Sequence, residues 1–437
     1  MTSMGAALIV MAGLAAAQAG EQDLSLAHKA EIFEYDLTNR FLIDGQVMSK
    51  LRLPAPENAR PGYSMSDNAY LTGIYAAVLS MKYALTNDVN VRAQANRTIE
   101  ALDLLCTVSG RRGLLARAAI PVTTHVDHTN DDSMWRSSPD QRYQWRDDAS
   151  TDQVTAVLFG LSMAFDHVAN AHQKRQITQN VADIVNRIYT NDTMLTRYDG
   201  KPTTWGRYFP DYVKKRMPLN ALLLLQHAKI AHYMTNDRRL QRKYLVYALQ
   251  EHYDKTSIKA HHIGPPGSKE VHYSDSALIY LAYYPLLTCE KDPLLRQTYL
   301  VGLRRTWQGA EGFPGVKPEA NPFYTFVTHK FLDDASMDAQ AINNLRCFPF
   351  DLKWNRRTIS KYEEQFGFVF SPQPQSPEPE PGEPIPFDRR PKTWSICVQN
   401  PYISGSRTED APVEYNGLDY LLAYWMGRYL GYIDADM

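Results

Sequence analysis

Cysteine is scarce: Cys106, Cys289, Cys347 and Cys397 are the four in 437 residues, and no two form a CxxC pair. That spacing disfavours zinc ribbons and thioredoxin-type chemistry. Cys106 and Cys289 fall within apolar helical runs, where a free buried thiol is expected, although an oxidising compartment leaves one or two disulfides open. Charge excess is also missing. A formal net charge of -1 gives no basic surplus for nucleic acid and no acidic tail. Beyond the first residues no run approaches the roughly 20 apolar residues of a membrane-spanning helix. The GxSxG elbow, the dinucleotide-binding glycine pattern and the phosphate loop are all absent, so serine hydrolase, nicotinamide oxidoreductase and kinase chemistry lose their support.

What is abundant is apolar and aromatic. Hydrophobic residues make up 44% of the chain, with 27 Tyr and 7 Trp. This is ample for a large packed core, and it also supplies flat rings with a polar edge of the kind that sugars stack on. The chain starts with an apolar run from Ala6 to Ala17 followed by Ala17-Gln18-Ala19, a small-residue cleavage pattern lacking only the basic n-region of a signal peptide. Residues 1–19 are therefore expected to be a leader cut before Gly20. Residues 20–437 would then form one periplasmic or secreted domain.

Apolar residues at helical spacing recur over Asp67 to Leu85, Asp152 to Ala169, Leu219 to Met234, Asp275 to Leu287 and Gly417 to Leu430. These segments are apolar nearly all round, so they are expected to be buried on most sides. The segments that follow, such as Asn90 to Val108 and Arg238 to Tyr253, carry one polar side. An inner and an outer ring of helices accommodates both patterns. Turn chemistry repeats as well: Asn87-Asp88, Asn236-Asp237 and Asp292-Pro293 each close one helix and cap the next. With a weaker pair near Pro322 the count is about six hairpins, unevenly spaced, which favours a toroid with variable loops over a strict solenoid. Arg111 to Ser150, Arg197 to Arg216, Ala260 to Ser274 and Trp307 to Asn321 all precede inner helices, which gathers these long loops at one end. The proline-rich stretch 372–391 is expected as an extended surface insertion.

At that end lie the residues with chemical potential. Trp145-Arg146-Asp147-Asp148-Ala149-Ser150-Thr151-Asp152 places more carboxylates before the second inner helix than capping needs. Glycosidic hydrolysis uses two carboxyl groups about 5–10 Å apart, and neighbouring carboxylates raise one another's pKa. Asp67 and Asp275 open the first and fourth inner helices in the same way. Asp148 and Asp152 are thus first-choice acid and base, with Asp67 and Asp275 second. His272, beside Tyr273, is the base that β-elimination on a uronate would use. Trp145, Trp205, Arg207, Tyr208, Tyr273, Glu319 and Tyr324 are the candidate sugar contacts. His125 to Asp132 contains ligand types but matches no metal signature, so neither metal nor cofactor is expected.

The hairpin series, with Trp145 to Gln153, Asp199 to Tyr208 and Glu319 to Tyr324 each preceding an inner helix, resembles bacterial proteins of the six-hairpin glycosidase-like class. The resemblance runs from about Asp67 to Ile433 and is architectural, since no characterised family's full catalytic set maps onto these positions. It implies an all-α, (α/α)6 toroid and an exported enzyme acting on a poly- or oligosaccharide. A hydrolase, inverting rather than retaining, is preferred to a polysaccharide lyase because carboxylates are more consistently placed than a His, Tyr and Arg set. A non-catalytic glycan-binding or scaffold toroid is the alternative from a different class.

Overall fold

The computed structural model describes residues 19–53, 62–124, 127–128, 134–261, 273–311, 313–370, 376–392, 400–402 and 411–437. Six inner helices form its centre: α2 Asn68–Thr86, α4 Thr151–His167, α6 Leu219–Thr235, α8 Ser274–Cys289, α10 Pro322–Leu332 and α12 Leu418–Leu430. Each packs on the next, and α12 returns to α2, so the ring is closed. Outside it, α3 Val89–Thr107, α5 Ala171–Thr190, α7 Arg238–Leu245, α9 Pro293–Gln308 and α11 Asp338–Arg346 lie against the inner helices they follow. The chain is an (α/α)6 toroid.

The burial pattern follows from composition. In α2 every residue from Asn68 to Met81 is buried, whereas α5 buries a single stripe of Gln173, Ile177, Val181, Ile184, Val185 and Ile188. A helix enclosed on all sides must be apolar all round, and one facing water needs only one apolar face. The repeated turns behave as expected. Asn87 and Asn236 adopt left-handed backbone with φ of 54° and 52°, and Asp88, Asp237 and Asp292 accept hydrogen bonds from the first turn of the next helix. Asparagine tolerates that conformation, so the chain reverses there at little cost.

Three features depart from expectation. The sixth outer helix is α1, Leu26–Asp36, which packs on α12 across nearly the whole length of the sequence. There the Leu26 amide donates to the Met437 carbonyl at 2.8 Å, and the Tyr420 hydroxyl donates to Leu26 at 3.0 Å. The outer helix expected over Arg238 to Tyr253 instead ends at Leu245, widens into a π-helical turn over Val246–Gln250 and breaks at His252, whose φ is 59°. The proline-rich stretch is not wholly superficial, because Ile385, Phe387 and Arg390 at its end are buried, the Phe387 ring against Phe348.

Small sheets sit between the long helices. Ala118–Pro121, Tyr143–Arg146 and Trp135–Ser137 form one of three strands, and Met194–Thr196 pairs with Pro202–Arg207. Lys50–Arg52, Gly62–Ser64, Asp127–His128 and Val413–Tyr415 form another sheet of four. These segments lead into the N-terminal ends of α2, α4, α6 and α12, so they rim one end of the ring.

The closest helix approach is between α2 and α4. A Cβ placed on Gly160 would lie 2.0 Å from the Gly73 carbonyl oxygen, and one on Gly73 would lie 2.4 Å from that of Ala156. Only glycine permits such backbone contact. This crossing holds together the two helices whose first residues form the site.

Candidate functional site

At the N-terminal end of the inner ring is a cleft of about 350 Å³, lined by Asp67, Tyr70, Arg117, Ser150, Thr151, Asp152, Trp205, Met217, Ser274, Asp275 and Leu278. Its walls come from the first turns of α2, α4 and α8 and from the loops before α4 and α6. Inner-helix N-termini carry a partial positive charge, which favours carboxylates there.

Asp67 is the N-cap residue of α2, but its side chain makes no capping hydrogen bond. Its carboxyl is therefore available to the cleft, with a side chain 27% exposed. Burial raises its pKa to about 6, with the nearby Asp152 charge adding to the rise and Arg117 and Arg146 opposing it. Asp152 stands in the first turn of α4 and accepts a hydrogen bond from the Ser150 hydroxyl.

Arg117 ties these parts together. Its Nε donates to the Ser66 carbonyl at 3.0 Å, and its Nη2 lies 3.4 Å from Ser150 Oγ and 3.8 Å from Asp67 Oδ1. Gln153 completes the frame, donating to the Ser66 carbonyl at 2.7 Å and accepting from the Ser150 amide at 3.4 Å. The loop before α2 and the start of α4 are thereby locked in register, with two carboxyls facing a common space. Asp275 lines the same cleft. Trp205, 65% exposed, extends over it from the Pro202–Arg207 strand.

The remaining expected residues are placed differently. Asp148 does not line the cleft: its Oδ1 accepts from the Thr204 amide at 3.0 Å and its Oδ2 from the Thr204 hydroxyl at 2.9 Å. With both oxygens engaged and its backbone held at φ 69°, this residue fastens the Trp205 hairpin to the start of α4. Asp147 does similar work, accepting from Arg136 at 2.8 Å and from the Tyr198 amide at 3.0 Å.

Trp145 is 1% exposed and packs edge-on against Tyr198, so its ring faces the core and not a sugar. Tyr208 is buried with its hydroxyl 3.0 Å from His227 Nε2, and burial holds His227 neutral by lowering its pKa to about 3. Tyr324 is buried in a parallel stack on Tyr280 with ring centres 4.5 Å apart. Arg207 is exposed, is not among the residues that line the cleft, and lies over the Tyr212 ring at 5.7 Å. Position before an inner helix does not specify which way a side chain turns: Trp145 on its strand turns into the core, and Tyr324 in the first turn of α10 faces Tyr280.

Tyr273 immediately precedes the lining residue Ser274, and Glu319 stands in a short turn before α10. Glu319 is 8% exposed. Burial pushes its pKa up to about 8, only partly offset by the Arg390 charge. His272, and most of the stretch from His125 to Asp132, lie outside the described residues, as do Cys397 and residues 1–18. Cys106, Cys289 and Cys347 are free thiols. Among the described residues no helix is long and apolar enough to cross a membrane.

Arg117 and Met217 were not singled out by the sequence. Neither belongs to a recognisable motif. The nearest signal is that each lies within a long loop preceding an inner helix.

No family model matches the chain, and no curated protein matches its sequence. Solved structures with a similar course include a GH76 alpha-mannanase of Bacteroides thetaiotaomicron, 8% identical, over 94% of this chain and 96% of that one, with a TM-score of 0.47. A D-mannose isomerase is 9% identical over 93% and 97% with a TM-score of 0.43. Cellobiose 2-epimerase from Bacillus thermoamylovorans B4167 is 11% identical over 91% and 99% with a TM-score of 0.37.

Proposed function

We propose that the chain is an exported carbohydrate-active enzyme that hydrolyses a glycosidic bond of a poly- or oligosaccharide, with Asp67 as general acid and Asp152 as general base. The observation that carries this reading is the pairing of two carboxyls in one open cleft, with the pKa of Asp67 raised to about 6. Such a pair divides the work: the group with the raised pKa holds a proton, and its neighbour stays ionised. Asp152 takes the partner role because it accepts a hydrogen bond from the Ser150 hydroxyl and stands at the α4 N-terminus, beside Asp67.

In the step itself, Asp67 gives its proton to the glycosidic oxygen as the bond to the anomeric carbon breaks. Asp152 removes a proton from a water molecule whose oxygen bonds to that carbon, and the two carboxyls then hold the opposite protonation states until solvent resets them. Trp205 offers a ring face to the apolar side of a pyranose. Arg117 keeps Asp67 and Ser150 in place and stays out of the proton transfers.

The test is a screen against a polysaccharide panel, reading new reducing ends and ultraviolet absorbance together. Hydrolysis gives reducing ends alone; an unsaturated chromophore would instead mark elimination. Asp67→Asn and Asp152→Asn should each abolish turnover while the helical circular dichroism stays intact. Full activity in both variants would remove the assignment.

A further inference from the structure

The cleft reaches across the ring. In the closed series of six inner helices α2 is first and α8 fourth, so they take opposite places, yet Asp67 at the start of α2 and Asp275 in the first turn of α8 line the same opening. Asp275 is half-buried, and Leu278, three residues on and on the same helix face, lines the cleft beside it. Trp205 and Met217, from the segments before α6, supply a further apolar wall. A sugar seated here has the reacting carboxyls on one side and Asp275 on the other. Among the described residues the charged side chains of the lining are Asp67, Asp152, Asp275 and Arg117. Arg117 is engaged by the protein, with Nε on the Ser66 carbonyl at 3.0 Å and Nη2 3.4 Å from Ser150 Oγ and 3.8 Å from Asp67 Oδ1.

We propose that Asp275 sets the substrate class of this cleft: its carboxylate accepts hydrogen bonds from donor groups on the sugar ring, hydroxyls or an ammonium, and turns away a sugar acid. This role rests on the reading of the opening as the site of glycoside hydrolysis and adds to it the charge of the glycan. A carboxylate only accepts, and its two oxygens have room for about four donors, so a protein partner and a sugar can share it. Sugar hydroxyls and ammonium groups supply such donors.

A uronate carboxyl brings acceptors and negative charge to a wall that already holds both, and a juxtaposition of like charges excludes the wrong ligand. The volume of about 350 Å³ is at the small end for pockets that hold an organic ligand. A ring stacked on Trp205 therefore has little room to avoid the far wall. Asp275 thus discriminates between sugars while Asp67 and Asp152 carry the proton transfers.

The experiment is calorimetric binding to the Asp67→Asn protein, whose amide replaces the protonated acid and blocks turnover, alone and with Asp275→Asn or Asp275→Ala. The probes are manno-, cello- and xylo-oligosaccharides, chitosan oligosaccharides and oligogalacturonides of matched length. The Asp67→Asn protein should bind a neutral or an amino sugar, and oligogalacturonides at least about tenfold more weakly. Asp275→Ala should weaken the preferred ligand about ten- to a hundredfold, the worth of one hydrogen bond to a charged group. Asp275→Asn should narrow the preference by raising oligogalacturonide binding, which a residue with a purely structural role would not do. Binding that weakens as salt rises identifies an ammonium donor, and binding insensitive to salt identifies hydroxyls. If Asp275→Ala fails to fold, the preference of Asp275→Asn decides alone. A preference unchanged in the variants, or a preference for oligogalacturonides in the Asp67→Asn protein, would overturn the role of Asp275 and leave hydrolysis to be judged by its reducing ends. Binding of none of the sugars would overturn both.

Discussion

On the α2/α4 side of the mouth, Asp67 shares its surroundings with Asp152 and Arg117, and its pKa settles at about 6. On the α8/α10 side, Glu319 is buried with Arg390 as its opposing charge among the described residues, and its pKa reaches about 8. The first wall is built by backbone contact through Gly73 and Gly160, the second by aromatic stacking of Tyr280 on Tyr324. Close helices bring carboxyls within reach of one another and of a cation, so their protonation is coupled. A ring-lined wall isolates its acid and leaves desolvation to decide. The difference shows how one fold can supply two acids of unlike strength on two sides of its inner ring.

The largest expected effect falls on the first wall. Asp152→Asn and Asp67→Asn should each lower turnover by about 10² to 10⁴-fold, the usual worth of a positioned acid or base. Initial rates on whichever polysaccharide the screen identifies measure this. Turnover in the unaltered protein should also fall as pH rises through about 6, because Asp67 must be protonated to act.

Next in size is Gly160→Ala. The added methyl would meet the Gly73 carbonyl at 2.0 Å, so α2 and α4 must separate, at about 1–3 kcal/mol for an overpacked contact. Thermal unfolding should show a lowered midpoint. If the crossing sets the carboxyl pair, the limb on which turnover falls with rising pH should move below 6 as Asp67 and Asp152 part. An unchanged limb in a destabilised protein would separate the glycine contact from the chemistry.

Smaller still is Thr204→Val. It removes the hydroxyl bond to Asp148 while the amide bond of 3.0 Å remains, so stability should fall by about 1 kcal/mol. Loosening the Trp205 hairpin should raise KM more than it lowers kcat. The reverse pattern would return Asp148 to the list of groups that act on substrate.

The smallest effect concerns pH and stability on the second wall. A carboxyl whose folded pKa lies above its unfolded value binds its proton more tightly when folded. The contribution of Glu319 is therefore full below its ordinary 4.5 and is lost as pH rises to about 8. Denaturant unfolding across that window should show a decline that Glu319→Gln flattens. The same comparison with Asp67→Asn should flatten only the part below about 6.

Most of the toroid was legible because an enclosed helix has an unmistakable pattern: the segment from Asp67 to Leu85 is apolar on every side, and the helix found is Asn68–Thr86. The turn residues Asn87 and Asn236 were legible for a local reason, since left-handed backbone selects few residue types. The pairing of α1 with α12 was not, because a contact spanning the chain leaves no mark in local periodicity. Within the site, Asp67, Asp152, Asp275 and Trp205 were found by their place before inner helices, and they do converge. Asp148 shows the limit of that rule. Four residues from Asp152, it bends through φ 69° and sends its carboxylate to Thr204 instead. Arg117 shows another: its importance comes from reaching Ser66 and Ser150, partners 51 and 33 residues away.

The seam between α1 and α12 has a kinetic corollary. Neighbouring hairpins such as α2 with α3 can form as soon as they exist, but the circle is sealed only when Leu26 meets Met437 and Tyr420. Contacts so distant in sequence are slow to form and are made late. Until then α12 lacks a cover for part of its apolar surface, which makes the open ring the stage at which aggregation or a chaperone would compete with completion.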